Sequence, residues 1–549
     1  MPSTPYLFRP PRSTPESRGG RPPEPRTERV DGMVIEWDVT VATEAGRTVI
    51  ADVYRPDGGA PAPVLIAWSP YGKHNPAPIG VIYPDSGVRP EDIGPKTTFE
   101  APDPDYWIPH GYAIVVADIP GTWHATGPAT YCSPEEAEDF RDFIEWAGTQ
   151  EWSNGKVGLS GVSYLTVSQW RVAELNPPHL AAINPWEGWS DTYREVARHG
   201  GIPETSFWPY IWERWGASTG EIEDLEQETT AHPFFDDFWE TKAARLERIE
   251  VPAWVVGSWS DQGLHSRGTL EGFRRMASPQ KWLDIHGRKK WAEYYRPENV
   301  ERQRLFFDRF LKGVDNDWED RPTVLYEVRE ADGRGEVAAA VAWPLPGARY
   351  APLYLGDDGT LAETAPDAES FVEYDGLSSG IGAHRMLFEY TFTRRTVLVG
   401  HATAELNVSA PDADDMDLFV GLFKRGTDGE VVGFAHYAQF EDGPVALGWL
   451  RASHRTLDPE RSEPFLPVLA HRQELPLEAD GPTHVTIEIL PSGTVFEAGE
   501  SLVLVVQGRD IMDHPQLVYA RHRDTVNHGR QRVHLGGADP SRVVLPYLD

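Results

Sequence analysis

Residues 152 to 170, WSNGKVGLSGVSYLTVSQW, constrain the fold more than any other stretch. Val157 to Leu159 is a short apolar run and reads as the end of a buried strand. Gly161-Val162-Ser163-Tyr164 then turns the chain sharply. Tyr164 to Leu175 has helix-compatible spacing and stops before Pro177-Pro178. A strand, a tight turn with a central Ser and a helix form the context of a nucleophile elbow. The turn lifts the hydroxyl clear of the backbone, and the N–H groups at the helix start face any oxyanion formed beside it. Ser163 is therefore the candidate nucleophile. Gly158-Leu159-Ser160 offers a rival phase, but Ser160 falls inside the strand and points into the sheet or its neighbours. Leu165 stands where the G-x-S-x-G pattern has its last Gly. A GxSx match alone is more often an ordinary turn, so its weight comes from the chain around it.

That chain alternates strands and helices. Val34 to Val53 alternates apolar and polar residues across Glu44-Ala45-Gly46, a β-hairpin pattern ending at Arg55-Pro56-Asp57-Gly58. Val64 to Trp68 and Ala113 to Ala117 are buried-strand runs, the first ending in Ser69-Pro70-Tyr71-Gly72. Ser133-Pro134-Glu135-Glu136 is a capping-box start, and Ala137, Phe140, Ile144 and Ala147 share one helical face. Ala181 to Ile183, Val251 to Val256 and Lys281 to Ile285 are further strands. Such alternation predicts βαβ units, a parallel sheet and active residues at the strands' carboxyl ends. The expected organisation is an α/β fold with an α/β-hydrolase core over 32–188 and 249–321. A helical cap, acidic and aromatic, is inserted at 189–248. Short alternating runs with Gly, Pro and Asp turns predict an all-β sandwich or jelly roll over 322–549. Residues 1–31, rich in Pro, Arg and Ser, read as a flexible or surface-wrapping arm without a signal peptide's apolar core.

A formal net charge of −34 over 549 residues argues against nucleic acid and anionic membranes as partners. No stretch reaches the length of a membrane span, so a soluble, cytoplasmic enzyme is the expectation. The single Cys132 permits no intrachain disulfide and reads as a small buried residue. No Cys/His spacing suggests zinc and no glycine-rich phosphate loop precedes a helix, so no metal or cofactor is expected.

A serine hydroxyl needs a base, and the base needs an orienting partner. Ser163, Asp261 and His286 occur in the α/β-hydrolase order, each just after a predicted strand. His286 would take the Ser163 proton and return it to the leaving group, and Asp261 would hold the imidazole. His265, close to Asp261 in sequence, is the competing base, although it would fall in the following helix. Asp284 lies within its strand rather than at its end, which disfavours it as the acid.

Four stretches carry a resemblance. Ser69-Pro70-Tyr71-Gly72, Gly161-Val162-Ser163-Tyr164, Gly257-Ser258-Trp259-Ser260-Asp261 and GWLRASHRTLDP at Gly448 to Pro459 resemble the CocE/NonD hydrolases. That group includes cocaine esterase, α-amino-acid ester hydrolases and X-Pro dipeptidyl peptidases. The resemblance runs from about residue 32 to the end. It implies a serine esterase or amidase with a hydrolase core, a helical cap and a jelly-roll domain. It also implies an oxyanion hole made of the Tyr71 hydroxyl and the Tyr164 backbone N–H, and it suggests a homodimer by analogy. Thr166 stands where the family has Gly after Ser-Tyr-x, and Ile119-Pro120-Gly121-Thr122 replaces Arg-Gly-x-Gly. The family's Gly-Pro-Trp-x-His around the base is replaced by Ile285-His286-Gly287-Arg288-Lys289-Lys290-Trp291.

Trp186, Trp189, Trp208 and Trp212 are candidates to line an acyl pocket between sheet edge and cap. Glu204, Glu213 and Glu221 could receive a substrate amine, although in so acidic a chain such residues are more often solvated surface. The expected function is cleavage of small carboxylic esters, or amides, through a Ser-His-Asp acyl-enzyme. The alternatives are an X-Pro dipeptidyl peptidase or amidase, an acyltransferase using the same triad, and a binding protein with a dead hydrolase core.

Overall fold

The computed structural model describes residues 6–75, 78–376, 385–478 and 481–548. The central sheet contains β1 (Arg26–Val30), β2 (Met33–Ala42), β3 (Thr48–Pro56), β4 (Ala62–Ser69), β5 (Ala113–Asp118), β6 (Ser153–Val162), β7 (Leu180–Trp186), β8 (Ala253–Ser258), β9 (Lys281–His286), β10 (Val324–Ala331) and β11 (Arg334–Ala340). Its order is β1-β2-β3-β5-β4-β6-β7-β8-β9-β10-β11. The pairings from β5 through β10 are parallel, while β1–β2, β2–β3, β3–β5 and β10–β11 are antiparallel. This is the expected α/β-hydrolase arrangement. β4, β5, β7 and the second half of β6, from Val157, are largely apolar runs buried from both sides, as a helix-covered parallel sheet requires.

The flanking helices are α1 (Pro134–Gly148), α2 (Tyr164–Ala173), α3 (Ser266–Arg275), α4 (Lys290–Tyr295) and α5 (Pro297–Lys312). Ser133 caps α1 by accepting the Glu136 N–H at 3.0 Å. Ala137, Phe140, Ile144 and Ala147 are all buried on its inner face, as their spacing predicts. The Glu136 carboxylate is diverted from an ordinary capping box: it accepts from the Cys132 N–H and the Tyr164 hydroxyl, each at 2.7 Å. Cys132 is buried, and burial pushes its thiol up to about 12.

Two boundaries differ from expectation. The arm joins the fold: Phe8–Arg9 pairs with Ile222–Glu223 of the cap, and β1 extends the central sheet. Asp31-Gly32, with φ of 55° and 76°, forms the two-residue turn between β1 and β2. An Asp-Gly pair suits that turn because both positions need positive φ. The Pro- and Arg-rich flanks mask this signal in the sequence. The α/β sheet also runs past residue 322, because β10 pairs parallel with β9. Beyond it, antiparallel strands form the jelly-roll-like β-domain around a second apolar core that includes Leu406, Leu418, Ile487 and Leu504. The long strand Thr483–Phe496 touches β10 through Arg329 and Thr494, so the two sheets meet. No helix among the described residues is long and apolar enough to cross a membrane.

Candidate active site

Ser163 sits between β6 and α2 with φ 61° and ψ −117°, outside the conformations an L-residue adopts freely. The neighbouring backbone holds it there. The Ser163 N–H donates to the Trp186 and Glu187 carbonyls at 3.1 and 3.0 Å, and the Ser163 carbonyl accepts from the Thr166 N–H at 2.8 Å. Gly161, at φ 143°, lies where an added Cβ would meet the Leu165 side chain at 2.5 Å. The chain therefore packs Leu165 over Gly161, reversing the small residue expected after the elbow. Thr166 also has a local role: its hydroxyl accepts from the Trp186 N–H at 2.7 Å and binds the Trp186 carbonyl at 2.7 Å, tying α2 to the end of β7. Unlike Ser133, Ser163 makes no side-chain capping bond, which leaves its hydroxyl free for chemistry.

The Ser163 hydroxyl lies 3.2 Å from His265 Nε2. His265 Nδ1 makes a short hydrogen bond with Asp261 Oδ2. Asp261 and His265 belong to one turn after β8, in which the His265 N–H donates to the Asp261 carbonyl at 3.1 Å. That i,i+4 closure puts carboxylate and imidazole on the same side. The imidazole stacks on Trp189, with centroids 5.7 Å apart and planes 5° apart. Both His265 and Asp261 are fully buried. Burial pushes His265 down to about 4, with Lys290 adding to the push and Asp261 opposing it. Burial would raise Asp261, but His265 and Lys290 hold it below the usual carboxylate range.

His286, the base expected from chain order, does not meet Ser163. Its Nε2 lies 3.1 Å from Glu187 Oε1, and its Nδ1 accepts the Arg288 N–H at 3.2 Å. β9 ends three strands along the sheet from β6, and its terminal side chain turns to the acid at the end of β7. Burial alone would lower His286, but the contact with Glu187 raises it. Asp284 pairs with Arg321. Ser160 is buried with its hydroxyl 3.1 Å from Tyr294 and 3.3 Å from Asn184, away from this constellation.

Tyr71, in the turn after β4, points its hydroxyl at Ser163 Oγ from 3.5 Å. The Tyr164 N–H at the start of α2 also faces that phenol oxygen. Burial, then the Glu100 carboxylate, push the Tyr71 phenol well up, so it stays a donor. The Tyr164 ring is fixed separately by its hydroxyl bond to Glu136.

The four tryptophans divide. Trp189 borders His265 and packs edge-on to Tyr164 at 6.1 Å. Trp208 packs edge-on to Trp189 at 6.4 Å, and Trp212 stacks on Tyr131 at 4.0 Å. Trp186 is not a pocket residue: its indole bonds Asn184 and packs with Trp254 and Tyr294 in the core. Glu204 is spent on its own helix start, accepting the Phe207 N–H at 2.7 Å, while Glu213 and Glu221 are exposed. Sequence reasoning misses Phe99 and Trp215, whose rings pack on Tyr71 at 5.2 and 5.7 Å. It also misses Glu100, which accepts the Trp291 indole N–H at 2.7 Å, and Lys290, whose Nζ lies 3.3 Å from Asp261 Oδ2. The basic run Arg288-Lys289-Lys290 before an aromatic is a weak signal, since most such lysines are solvated.

Asp38, Asp52 and His74 have the spacing of a metal site, but the Lys73 ammonium lies among them, 2.8 Å from Asp52 and 2.9 Å from His74. A cation of the chain itself thus supplies the charge there.

Two family models match: residues 46–224 match the X-Pro dipeptidyl-peptidase (S15 family), and 316–544 match the X-Pro dipeptidyl-peptidase C-terminal non-catalytic domain. A solved CocE/NonD family hydrolase from Staphylococcus aureus is 43% identical, with a TM-score of 0.91 over 94% of each chain. The chain belongs to the CocE/NonD family of serine hydrolases. Cocaine esterase of Rhodococcus sp. (strain MB1 Bresler) is 26% identical over 388 residues, 60% of this chain and 64% of that protein. The Xaa-Pro dipeptidyl-peptidase of Lactobacillus helveticus (strain DPC 4571) is 27% identical over 250 residues, 40% of this chain and 28% of that protein. The matches thus span less than two thirds of these curated relatives. An α-amino acid ester hydrolase shares the fold, with a TM-score of 0.70 at 18% identity over 94% of this chain and 97% of its own. Asp261, His265 and Lys290 fall between the two ranges matched by the family models.

Proposed function

We propose that this CocE/NonD hydrolase cleaves small acyl compounds through an acyl-enzyme on Ser163, with His265 as base and Asp261 as its orienting acid. The contact of Ser163 with His265 Nε2 at 3.2 Å carries the reading. His265 takes the hydroxyl proton as Ser163 Oγ bonds to the acyl carbon. The Tyr71 phenol and the Tyr164 N–H donate to the oxygen that becomes negative. His265 then passes the proton to the departing oxygen or nitrogen, the acyl–leaving-group bond breaks, and water enters by the same route. Asp261 holds the Nδ1 tautomer and stabilises the transient imidazolium.

For the bond cleaved, the names of both family models support an amide of the X-Pro type. Glu100 supports the same reading. It is buried beside Tyr71, and burial pushes its carboxyl up to about 7, so a substrate ammonium would hold it ionised. The ester reading rests on the alignment with cocaine esterase. Trp189, with Trp208 behind it, is the aromatic wall for the acyl side.

Side-by-side turnover of Gly-Pro and Ala-Pro p-nitroanilides and of p-nitrophenyl esters from acetate to octanoate tests the assignment. The X-Pro reading expects the anilides to dominate kcat/KM. Dominance of the esters reverses the order, and acyl transfer to an added alcohol or amine in preference to water replaces hydrolysis with an acyltransferase reading.

A further inference from the structure

One cation is buried at the heart of the site, and the reaction as written does not use it. Lys290, the first residue of α4, is fully buried. Its Nζ lies 3.3 Å from Asp261 Oδ2 and 3.4 Å from His265 Nδ1. Because His265 Nδ1–H donates to the same Oδ2, the two nitrogens are competing donors on one oxygen. Asp261 Oδ1, also buried, has no hydrogen-bond partner among the described residues. The lysine is held in place from the other side by rings: its Nζ lies 4.6 Å from the Tyr437 centroid and 5.2 Å from that of Trp291. Tyr437 comes from the β-domain and is anchored by its N–H to the Ser260 carbonyl at 2.6 Å, next to Asp261. Both domains thus contribute to the cradle of this one ammonium.

We propose that Lys290 is a charge-balancing positioning residue that neutralises Asp261 and thereby keeps His265 able to accept the Ser163 proton in acidic solution. The proposal rests on His265 being the base, as argued above. A bare buried carboxylate beside an imidazole favours the imidazolium, which cannot accept a proton. A lysine on the same oxygen cancels that attraction at the range where Coulomb forces are strongest. The wider charges do not replace it. Glu100 and Glu187 are acids within electrostatic reach of Asp261 and Lys290. His436, Tyr437 and Tyr519, from the β-domain, sense Asp261 as neutral rings. Trp189 on the open face of His265 carries no charge. Lys290 is thus the cation that opposes these carboxylates at the imidazole.

The test compares wild type with Lys290→Met, Lys290→Gln and Lys290→Arg. The readouts are the pH profile of kcat/KM, the pH dependence of fluorophosphonate labelling of Ser163, and the NMR titration of the His265 imidazole assigned by its loss in His265→Asn. Removing the charge raises the pH at which His265 protonates, so the acidic limb moves up by about one pH unit or more in Lys290→Met and Lys290→Gln. Lys290→Arg keeps the limb near wild type. If Lys290→Met does not fold, Lys290→Gln, which keeps a donor for Asp261, carries the same test. Lower activity with an unmoved limb and an unmoved His265 titration reduces Lys290 to packing and overturns the proposal. Full activity in His265→Asn overturns instead the assignment of the base, while the NMR titration still reports whether Lys290 and His265 are coupled.

Discussion

His265 and His286 sit at the carboxyl ends of neighbouring strands, and each faces a buried carboxylate. Asp261 meets His265, and Glu187 meets His286. Their protonation diverges. Burial lowers His265 to about 4, with Lys290 adding to it, whereas His286 is raised above its ordinary value against the same burial, by Glu187 first and then by Glu293 and Glu327. The first pair has a cation on its carboxylate and a strained serine on the far nitrogen. The second has neither. An acid–imidazole pair is therefore not a catalytic unit by itself. The third charge decides whether the imidazole is free to accept a proton, and the neighbour of its other nitrogen decides from what.

The sharpest break of this comparison is kinetic. Ser163→Ala and His265→Ala should each lower kcat by roughly 10⁴-fold or more. His286→Gln should stay within about threefold of wild type, since it touches no reacting atom. Equal losses at His265 and His286, measured on the better substrate, would dissolve the distinction. Tyr71→Phe should cost roughly 10²- to 10³-fold in kcat with little change in KM, as removal of one oxyanion donor does. A KM effect alone would make Tyr71 part of the pocket wall.

The smallest effect is on stability. The folded pKa of His286 is raised, so its stabilising contribution is present below about pH 6.5 and is lost as pH rises through the folded value. The folded pKa of His265 is lowered, so the unfolded chain binds a proton there that the native state does not. Its contribution is present above about pH 6.5 and is lost as pH falls toward 4. Urea midpoints of wild type against His286→Gln should therefore converge as pH rises above about 6.5. Those of wild type against His265→Asn should converge from pH 7 to 5. The change at His265 should be on the order of 2 kcal/mol. Convergence in the same direction for both would show that the two imidazoles are not in opposite charge states.

Much of this was legible in the residues. The apolar run into Gly161-Val162-Ser163 placed the serine at a strand end, and Ser69-Pro70-Tyr71 placed the phenol at another. Asp261 was readable because it closes a strand. His265 was visible as a competitor but discounted for lying in a helix. In the structure it is the residue just before α3, still in the turn, so its side chain follows the turn rather than the helix face. Trp186 reads as a pocket residue between sheet edge and cap, but its indole packs on Trp254 and Tyr294 in the core instead.

The sequence by itself determined the local events: the elbow, the capped helix α1, the strand ends and the succession of α/β core, cap and β-domain. These follow from hydrophobic period and turn chemistry over a few residues. Only the tertiary structure decided which histidine meets Ser163, and that Lys290 stands on Asp261 with Tyr437 of the β-domain beneath it. Ser163 and His265 are 102 residues apart, and Lys290 and Tyr437 are 147 apart. No local pattern encodes such meetings. They arise when the sheet's order fixes which strand ends are neighbours and when burial leaves each charge one partner to find.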